Sequence, residues 1–292
     1  MEKLKILRKQ CNFTQKDLAN LLGVKTKDIQ NWELNKAQPE LKILRDLADI
    51  FSTSVYDILS NESIATTDYS PWNFNETIDY FWGHIGILLY NSNIIKWYPI
   101  TNSTFDRVET ILSNDKPSKE NDIFSLDTLN NRLLLINKNI VKKISLLSDA
   151  SDSPKDWEIP WDGYQGLGSE EFYNLIDEYF FDYEHFCQNT SEELQNKVVN
   201  LIEEKRITED NVLEILNQVY IYYHDNTVET IDIVNAQELF NDVRLIEFEL
   251  NRFIQFSDDN GEIHFIPLNS VGLIDIPLYL YKIGRNEIFE NK

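Results

Sequence analysis

TQKDLANLLGVKTKDIQNWELNKAQPELKILRDLADIFSTSVYDIL, residues 14–59, decides the fold of the first part of this chain. Its apolar residues recur at helical spacing in short blocks, separated by capping and breaking residues. Thr14 has N-cap chemistry, with Asp17 at the capping-box position and Leu18, Leu21 and Leu22 as the stripe behind it. Gly23 ends that helix, as a residue free to take positive φ should. The spacing predicts a further helix from about Thr26 to Leu34, buried through Ile29 and Trp32. Pro39 breaks the chain and opens the next (Leu41, Ile43, Leu44, Leu47, Ala48), and Ser54 caps a last one carrying Val55, Ile58 and Leu59. Upstream, Leu4, Ile6 and Leu7 mark one more. The expected unit is all-α with five helices, and its central pair around a Gly-containing turn forms a helix-turn-helix.

The pattern of Thr14-Gln15, Leu18-Ala19, Leu22-Gly23-Val24, Ile29, Trp32-Glu33, Pro39, Leu47-Ala48 and the closing Ser54…Leu59 helix resembles the Cro/lambda-repressor-like (XRE) DNA-binding family. The resemblance covers about a fifth of the chain. It implies that the helix from Thr26 lies in the DNA major groove with Thr26, Lys27, Gln30 and Asn31 facing bases. Their chemistry suits that role, since Asn and Gln pair bidentately with adenine and Lys donates to guanine. Gln15 matches the family's phosphate contact, and Lys25 and Lys36 flank the reading helix as phosphate partners. Arg8 and Glu33 match a pair that forms an internal salt bridge in some members. Three positions depart from the pattern. Asp28 suits the helix dipole but not a phosphate, so it is expected to cap locally or to accept from a cytosine amine. Asn35 replaces the usual Gly, and Asn tolerates the left-handed turn. Leu34 removes one phosphate contact.

The whole chain of 292 residues carries a net charge of −22, which argues against nucleic acid and anionic membrane surfaces. The charge is not uniform. Residues 1–60 hold ten basic and eight acidic residues, a net +2, so residues 61–292 carry −24. A net +2 is weak for one DNA-binding unit, which points to a homodimer on two half-sites. Apolar residues at 42% are enough for real cores. No apolar run approaches the 18 or so residues that span a bilayer, and MEKLKILRKQ is not a signal peptide, so no membrane partner is expected. The two cysteines, Cys11 and Cys187, make no disulfide framework, and a reduced, cytoplasmic setting is expected.

After residue 60 the composition changes. Residues 61–72 read as a polar linker. Strand patterns follow: 86–90 with 94–100, 123–129 with 132–136, and 140–147; later 219–224 with 227–234, 253–257 with 262–268, and 271–278. Asn260-Gly261 is a strong hairpin signal. At a constant offset of 130, NNRLLLINKNIVKKISLL (130–147) falls on NGEIHFIPLNSVGLIDIP (260–277), matching Leu133 to Ile263, Leu135 to Phe265, Ile144 to Ile274 and Leu146 to Ile276. Self-similarity of this kind suggests a duplicated unit, each copy an upstream helix, a hairpin, a connector and three strands. Chance agreement between generic alternating strands is the competing explanation. The expected organisation is therefore a helix-turn-helix domain (1–60), the linker (61–72), a β-rich module (73–150), a loop plus helical block (151–218) and a second β-rich module (219–292), an α+β body with two small β-barrel-like modules around the helices.

In the helical block, Ser169 is expected to cap a helix through Phe172, Ile176, Tyr179, Phe180, Tyr183 and Phe186, read as core. Thr190 with Glu193 reads as a capping box for the next, and Thr208 starts a third. Trp157, Trp161 and Tyr164 crowd a Gly-containing loop (157–169), read as a buried turn rather than an anion or aromatic-ligand site. The four histidines lack metallopeptidase spacing, neither Ala-Gly nor Cys-Gly occurs for self-cleavage, and Asp182, Glu184, His185 and Cys187 cannot all aim at one metal from one helix. No metal, no cofactor and no enzyme activity are expected. The expected function is a sequence-specific DNA-binding transcription regulator, a repressor, contacting double-stranded DNA through residues 1–60. Residues 61–292 would dimerise it or sense a protein or small-molecule partner. The alternative is an antitoxin-like, protein-binding inhibitor with a DNA-mimicking acidic body and an autoregulatory helix-turn-helix.

Overall fold

The computed structural model describes residues 1–51, 53–59, 81–90, 92–113, 122–148, 170–247, 252–258 and 260–290. The linker at 61–72 and the aromatic loop at 157–169 lie outside them. The chain opens with α1 (Glu2–Gln10), α2 (Gln15–Leu21), α3 (Thr26–Glu33), α4 (Leu41–Ile50) and α5 (Val55–Leu59). Next come β1 (Phe81–Leu89), β2 (Ile95–Thr101), α6 (Asn102–Ser113), β3 (Ile123–Asp127), β4 (Arg132–Asn137) and β5 (Val141–Ser148). Three helices follow, α7 (Glu171–Phe181), α8 (Tyr183–Asn189) and α9 (Glu192–Lys205). The chain ends with α10 (Val212–Asn217), β6 (Gln218–Tyr223), β7 (Val228–Asp232), α11 (Ala236–Glu247), β8 (Phe253–Ser257), β9 (Ile263–Pro267), β10 (Val271–Pro277) and α12 (Leu278–Glu290). These elements divide into two compact units, Met1–Tyr80 with Leu167–Glu209, and Phe81–Gly166 with Asp210–Lys292.

In the first unit, local chemistry sets the helix ends. The Thr14 hydroxyl accepts from the Asp17 N–H (3.1 Å) while the Asp17 carboxylate accepts from the Thr14 N–H (2.9 Å), a reciprocal capping box. Gly23 (φ 65°) and Asn35 (φ 55°) take the left-handed turns that follow α2 and α3. Leu4, Leu7, Leu18, Ile29, Trp32, Leu44, Leu47, Phe51 and Ile58 form one core under α1–α5.

Helices α7–α9 belong to this same unit rather than standing apart from it. Their tie is Arg45 of α4, which is 3% exposed. Its Nη1 donates to the Thr190 hydroxyl (2.9 Å), its Nη2 pairs with Glu178, and its Nε lies 3.6 Å from Glu171. The Ser191 hydroxyl donates to Asp46 (2.5 Å), and Lys197 pairs with Asp49 (2.6 Å). Two local expectations are corrected here. The helix read through Phe186 breaks at Asp182 (φ −146°, ψ 64°), whose side chain caps α8 through the His185 N–H. The cap of α9 is Ser191, one residue later, which accepts from the Leu194 N–H, while the Thr190 hydroxyl accepts from Arg45. Of the aromatic stripe, Phe186 is buried with Ile176, whereas Tyr183 is 59% exposed.

The described residues of the second unit form antiparallel strand pairs in three sheets, ordered β2-β1-β5, β3-β4-β10-β6-β7 and β8-β9. Its two halves repeat one plan: a hairpin, a twelve-residue helix, a second hairpin and a last strand that returns to the first. The registers repeat as well. Ile123 faces Asn137 and Phe253 faces Pro267, and every pair between them recurs at the offset of 130. Ile144 faces Ile87 as Ile274 faces Ile221, with a bulge skipping Lys142 in one half and Gly272 in the other. Even the turns agree: Asn131 (φ 57°) and Gly261 (φ 80°) hold the same left-handed position.

The halves are not separate modules around the helical block. Strand β4 of the first pairs with β10 of the second, so the five-stranded sheet draws on both. Among the described residues no sheet closes into a barrel. Successive residues of β4 enter two different cores. Leu133 and Leu135 pack with Ile221, Val243, Phe256 and Ile274, while Leu134 and Ile136 pack with Ile85, Ile87, Ile100 and Leu126. A strand covered on both faces must be apolar without alternation, and RLLLIN is. The core nevertheless contains a buried polar cluster: Arg132 pairs with Asp275 (2.5 Å), and the Tyr98 hydroxyl donates to the same carboxylate (2.8 Å).

Candidate nucleic-acid interface

Helix α3 is fixed from one side and open on the other. Ile29 (0% exposed) and Trp32 (7%) are sunk in the core. Lys27 and Gln30 are exposed, and Thr26 and Asn31 are half-buried beside them. The spacings 26/30 and 27/31 place these four on one helical stripe, opposite Ile29 and Trp32. Lys25 and Lys36, at the two ends of α3, are exposed. The stripe thus offers an ammonium, two amides and a hydroxyl at hydrogen-bonding reach from a rigid backbone.

Behind the stripe lies a buried ion pair. Arg8 Nε meets Glu33 Oε1 at 2.5 Å, and Arg8 also donates to the Phe13 carbonyl (2.8 Å). Burial pushes the Glu33 carboxyl up, but hydrogen bonds from Arg8 and Gln15 and the Arg8 charge outweigh it, leaving the pKa below its ordinary value. Gln15 donates to Glu33 (2.7 Å) and accepts from the Gln30 amide (3.4 Å). This chain Arg8–Glu33–Gln15–Gln30 runs from the core to the exposed stripe and sets the orientation of Gln30. It leaves Gln15, half-buried, one amide hydrogen for an outside acceptor. Asp28 accepts from the Lys25 N–H (3.0 Å), so its charge caps α3 locally.

Two exposed leucines, Leu21 (58%) and Leu34 (62%), border α2 and α3. Leu34 continues the stripe one turn beyond Gln30 and Asn31. Nothing in the sequence pattern separates it from a core leucine, since its spacing from Ile29 is not diagnostic. A cleft of about 640 Å³ opens where α9 passes α2 and α4, lined by Asn20, Leu21, Asp46, Asp49, Glu193 and Lys197 among others. In the second unit, ligand atoms of Asp258, Glu262 and His264 lie within 4.8 Å of one another. Asp258 is already engaged there by the Asn260 and Glu262 N–H groups and by His264. Asp182, Glu184, His185 and Cys187 form no such group among the described residues. Cys11 is buried and Cys187 exposed, both as free thiols. Among the described residues no helix is long and apolar enough to cross a membrane.

Residues 4–58 match the family model described as Helix-turn-helix. Over 65 residues the chain is 37% identical to the HTH-type transcriptional activator BcrR of Enterococcus faecalis. That alignment covers 22% of this chain and 32% of the relative, so the chain spans about a third of the protein it matches. No solved structure matches the chain. Residues 4–58 are a helix-turn-helix domain of the XRE type, followed by a body whose family is not recognised.

Proposed function

We propose that the chain is a sequence-specific, DNA-binding transcription regulator that reads duplex DNA through α3. The observation that carries this reading is the polar stripe Thr26, Lys27, Gln30 and Asn31 on a helix pinned by Ile29 and Trp32, with Gln30 held by Gln15. Gln30 and Asn31 would pair with adenine edges, and Lys27 with guanine. Gln15, Lys25 and Lys36 would hold phosphates, fixing the register. Leu34 adds an apolar contact suited to a thymine methyl. The reading assigns a repressor's role by occupancy of an operator. The similar Enterococcus faecalis protein is named an activator, and the same reading helix serves either outcome.

The second unit would work away from DNA. Residues 61–292 carry −24 and are repelled by phosphate, so dimerisation or sensing falls to them. A homodimer answers the weak +2 of residues 1–60 by doubling the phosphate contacts. The reading gives the chain no catalytic step and places it in the cytoplasm. The −24 favours one second reading, an antitoxin-like inhibitor whose acidic body occupies a basic protein groove. Selection of duplexes from a random library by the full chain tests the first reading. One enriched motif supports it; recovery of unselected sequence overturns it.

A further inference from the structure

The internal repeat shows which strand edges are built to be covered, and among the described residues two of them are not. In the first half, β4 is paired on both sides, with β3 and with β10. Its equivalent at the offset of 130, β9, pairs among the described residues with β8 alone. In the second half, β10 is paired on both sides, with β4 and β6; among the described residues its equivalent β5 pairs with β1 alone.

Exposure follows the missing pairs. Leu133 and Leu135 of β4 are each 2% exposed, whereas their equivalents Ile263 and Phe265 are 54% and 63% exposed. Ile274 and Ile276 of β10 are buried, whereas Ile144 and Leu146 of β5 are half-buried. The backbone points the same way. Hydrogen bonds at the two ends of the β8–β9 ladder (Asp258 N–H to Glu262 O, Leu268 N–H to Arg252 O, each 3.0 Å) turn the even-numbered residues of β9 toward β8. The peptide groups of Ile263 and Phe265 therefore face outward. Their equivalents in β4 use those groups to bind β10. A strand edge left open beside exposed apolar side chains is an adhesive surface.

We propose that β5 and β9 are the homodimer interface, each β9 receiving the β5 of a second copy of this chain. The template is the β4–β10 pairing within one chain, where Ile274 faces Leu135, Asp275 faces Leu134 and Ile276 faces Leu133. Transferred by the repeat, Ile144 of one copy faces Phe265 of the other, Ser145 faces His264, and Leu146 faces Ile263. A twofold axis makes the contact twice and closes the assembly, completing a β2-β1-β5-β9-β8 sheet on each side. The occupant is a second copy because the two complementary edges belong to one sequence and lie in separate sheets of one chain. The inference deepens the homodimer of the proposed function and rests on that part of it, not on DNA reading.

The test uses the full chain with Cys187→Ser, so that no exposed thiol among the described residues competes. Ser145→Cys and His264→Cys chains are co-expressed and mildly oxidised. A disulfide-linked dimer from the mixture, and none from either variant alone, supports the interface. Phe265→Lys should also raise the dimer dissociation constant about 100-fold or more in sedimentation equilibrium, with the circular dichroism unchanged. A doubly substituted chain that cross-links only within a monomer overturns the proposal. A dimer without the cross-link, and indifferent to Phe265→Lys, overturns this interface while leaving the homodimer standing. A monomer at all concentrations overturns both and leaves the duplex selection to judge DNA reading.

Discussion

Replacing Arg45 with Met should loosen α7–α9 from α4, and the loss should depend on pH. Arg45 holds Glu178, Glu171 and Thr190 from a site that is 3% exposed. Removing one partner of a buried ion pair costs about 3–5 kcal/mol, because the other charge stays behind. Glu171 supplies the pH dependence. Burial pushes its carboxyl up to about 7, and Arg45 is among the groups pulling it down. Without the guanidinium the carboxyl rises further, an opposite charge at this range being worth about 1–3 pK units. At pH 8 the variant must then protonate a group that is ionised in the parent, which adds about 1 kcal/mol. At pH 6 the group is protonated in both, and that increment vanishes. Hydrogen exchange of peptides from 171–205 in the full chain reads the opening free energy. Protection should fall about 100-fold or more at pH 8, and by several-fold less at pH 6. Protection within a few-fold of the parent at both pH values would refute the reasoning.

Three further outcomes follow from single contacts. The folded pKa of Glu171 lies above its ordinary 4.5, so its stabilisation is complete below pH 4.5 and is lost as pH rises through about 7. That loss is on the order of 3 kcal/mol, and Glu171→Gln should flatten it in denaturant midpoints measured between pH 5 and 8. Gly23→Ala meets no neighbour within 4 Å but puts a Cβ at φ 65°, so it should cost about 1 kcal/mol, read as a lowered Tm. Asp275→Asn leaves the Arg132 charge buried without its counter-ion and should destabilise the second unit by about 3–5 kcal/mol in urea unfolding. A change below 1 kcal/mol would mean that the cluster is not held by charge.

What the sequence reveals divides along the range of the interactions. The helix ends at Thr14, Gly23 and Asn35 are local devices, written in adjacent residues. The hairpins are equally legible, because turn residues and alternating apolar residues sit side by side in sequence. The repeat is visible as matched apolar positions, and the structure adds matched registers, bulges and turn dihedrals. Helices α6 and α11 are harder to read: they are short, half-polar and wedged between hairpins, so sequence reading treats them as connectors. The attachment of α7–α9 to α4 cannot be read at all. Arg45 and Glu178 are 133 residues apart, and an arginine with two glutamates makes no pattern at that distance. The β4–β10 pairing escapes for the same reason, as antiparallel strands of similar composition do not name their partners. At the reading helix, residue types point to Lys27, Gln30 and Asn31, whereas the Gln15–Gln30 hydrogen bond and the exposure of Leu34 arise only from how α2 and α3 pack.

The central claim is that α3 reads base edges. Its most direct test is a fluorescence anisotropy titration of the full chain, and of its Gln30→Ala/Asn31→Ala variant, against a selected duplex and a scrambled one at fixed salt. The parent should prefer the selected duplex. The variant should lose that preference by about 1–3 kcal/mol per lost base contact while keeping its affinity for the scrambled duplex. A variant that discriminates as well as the parent would contradict the account.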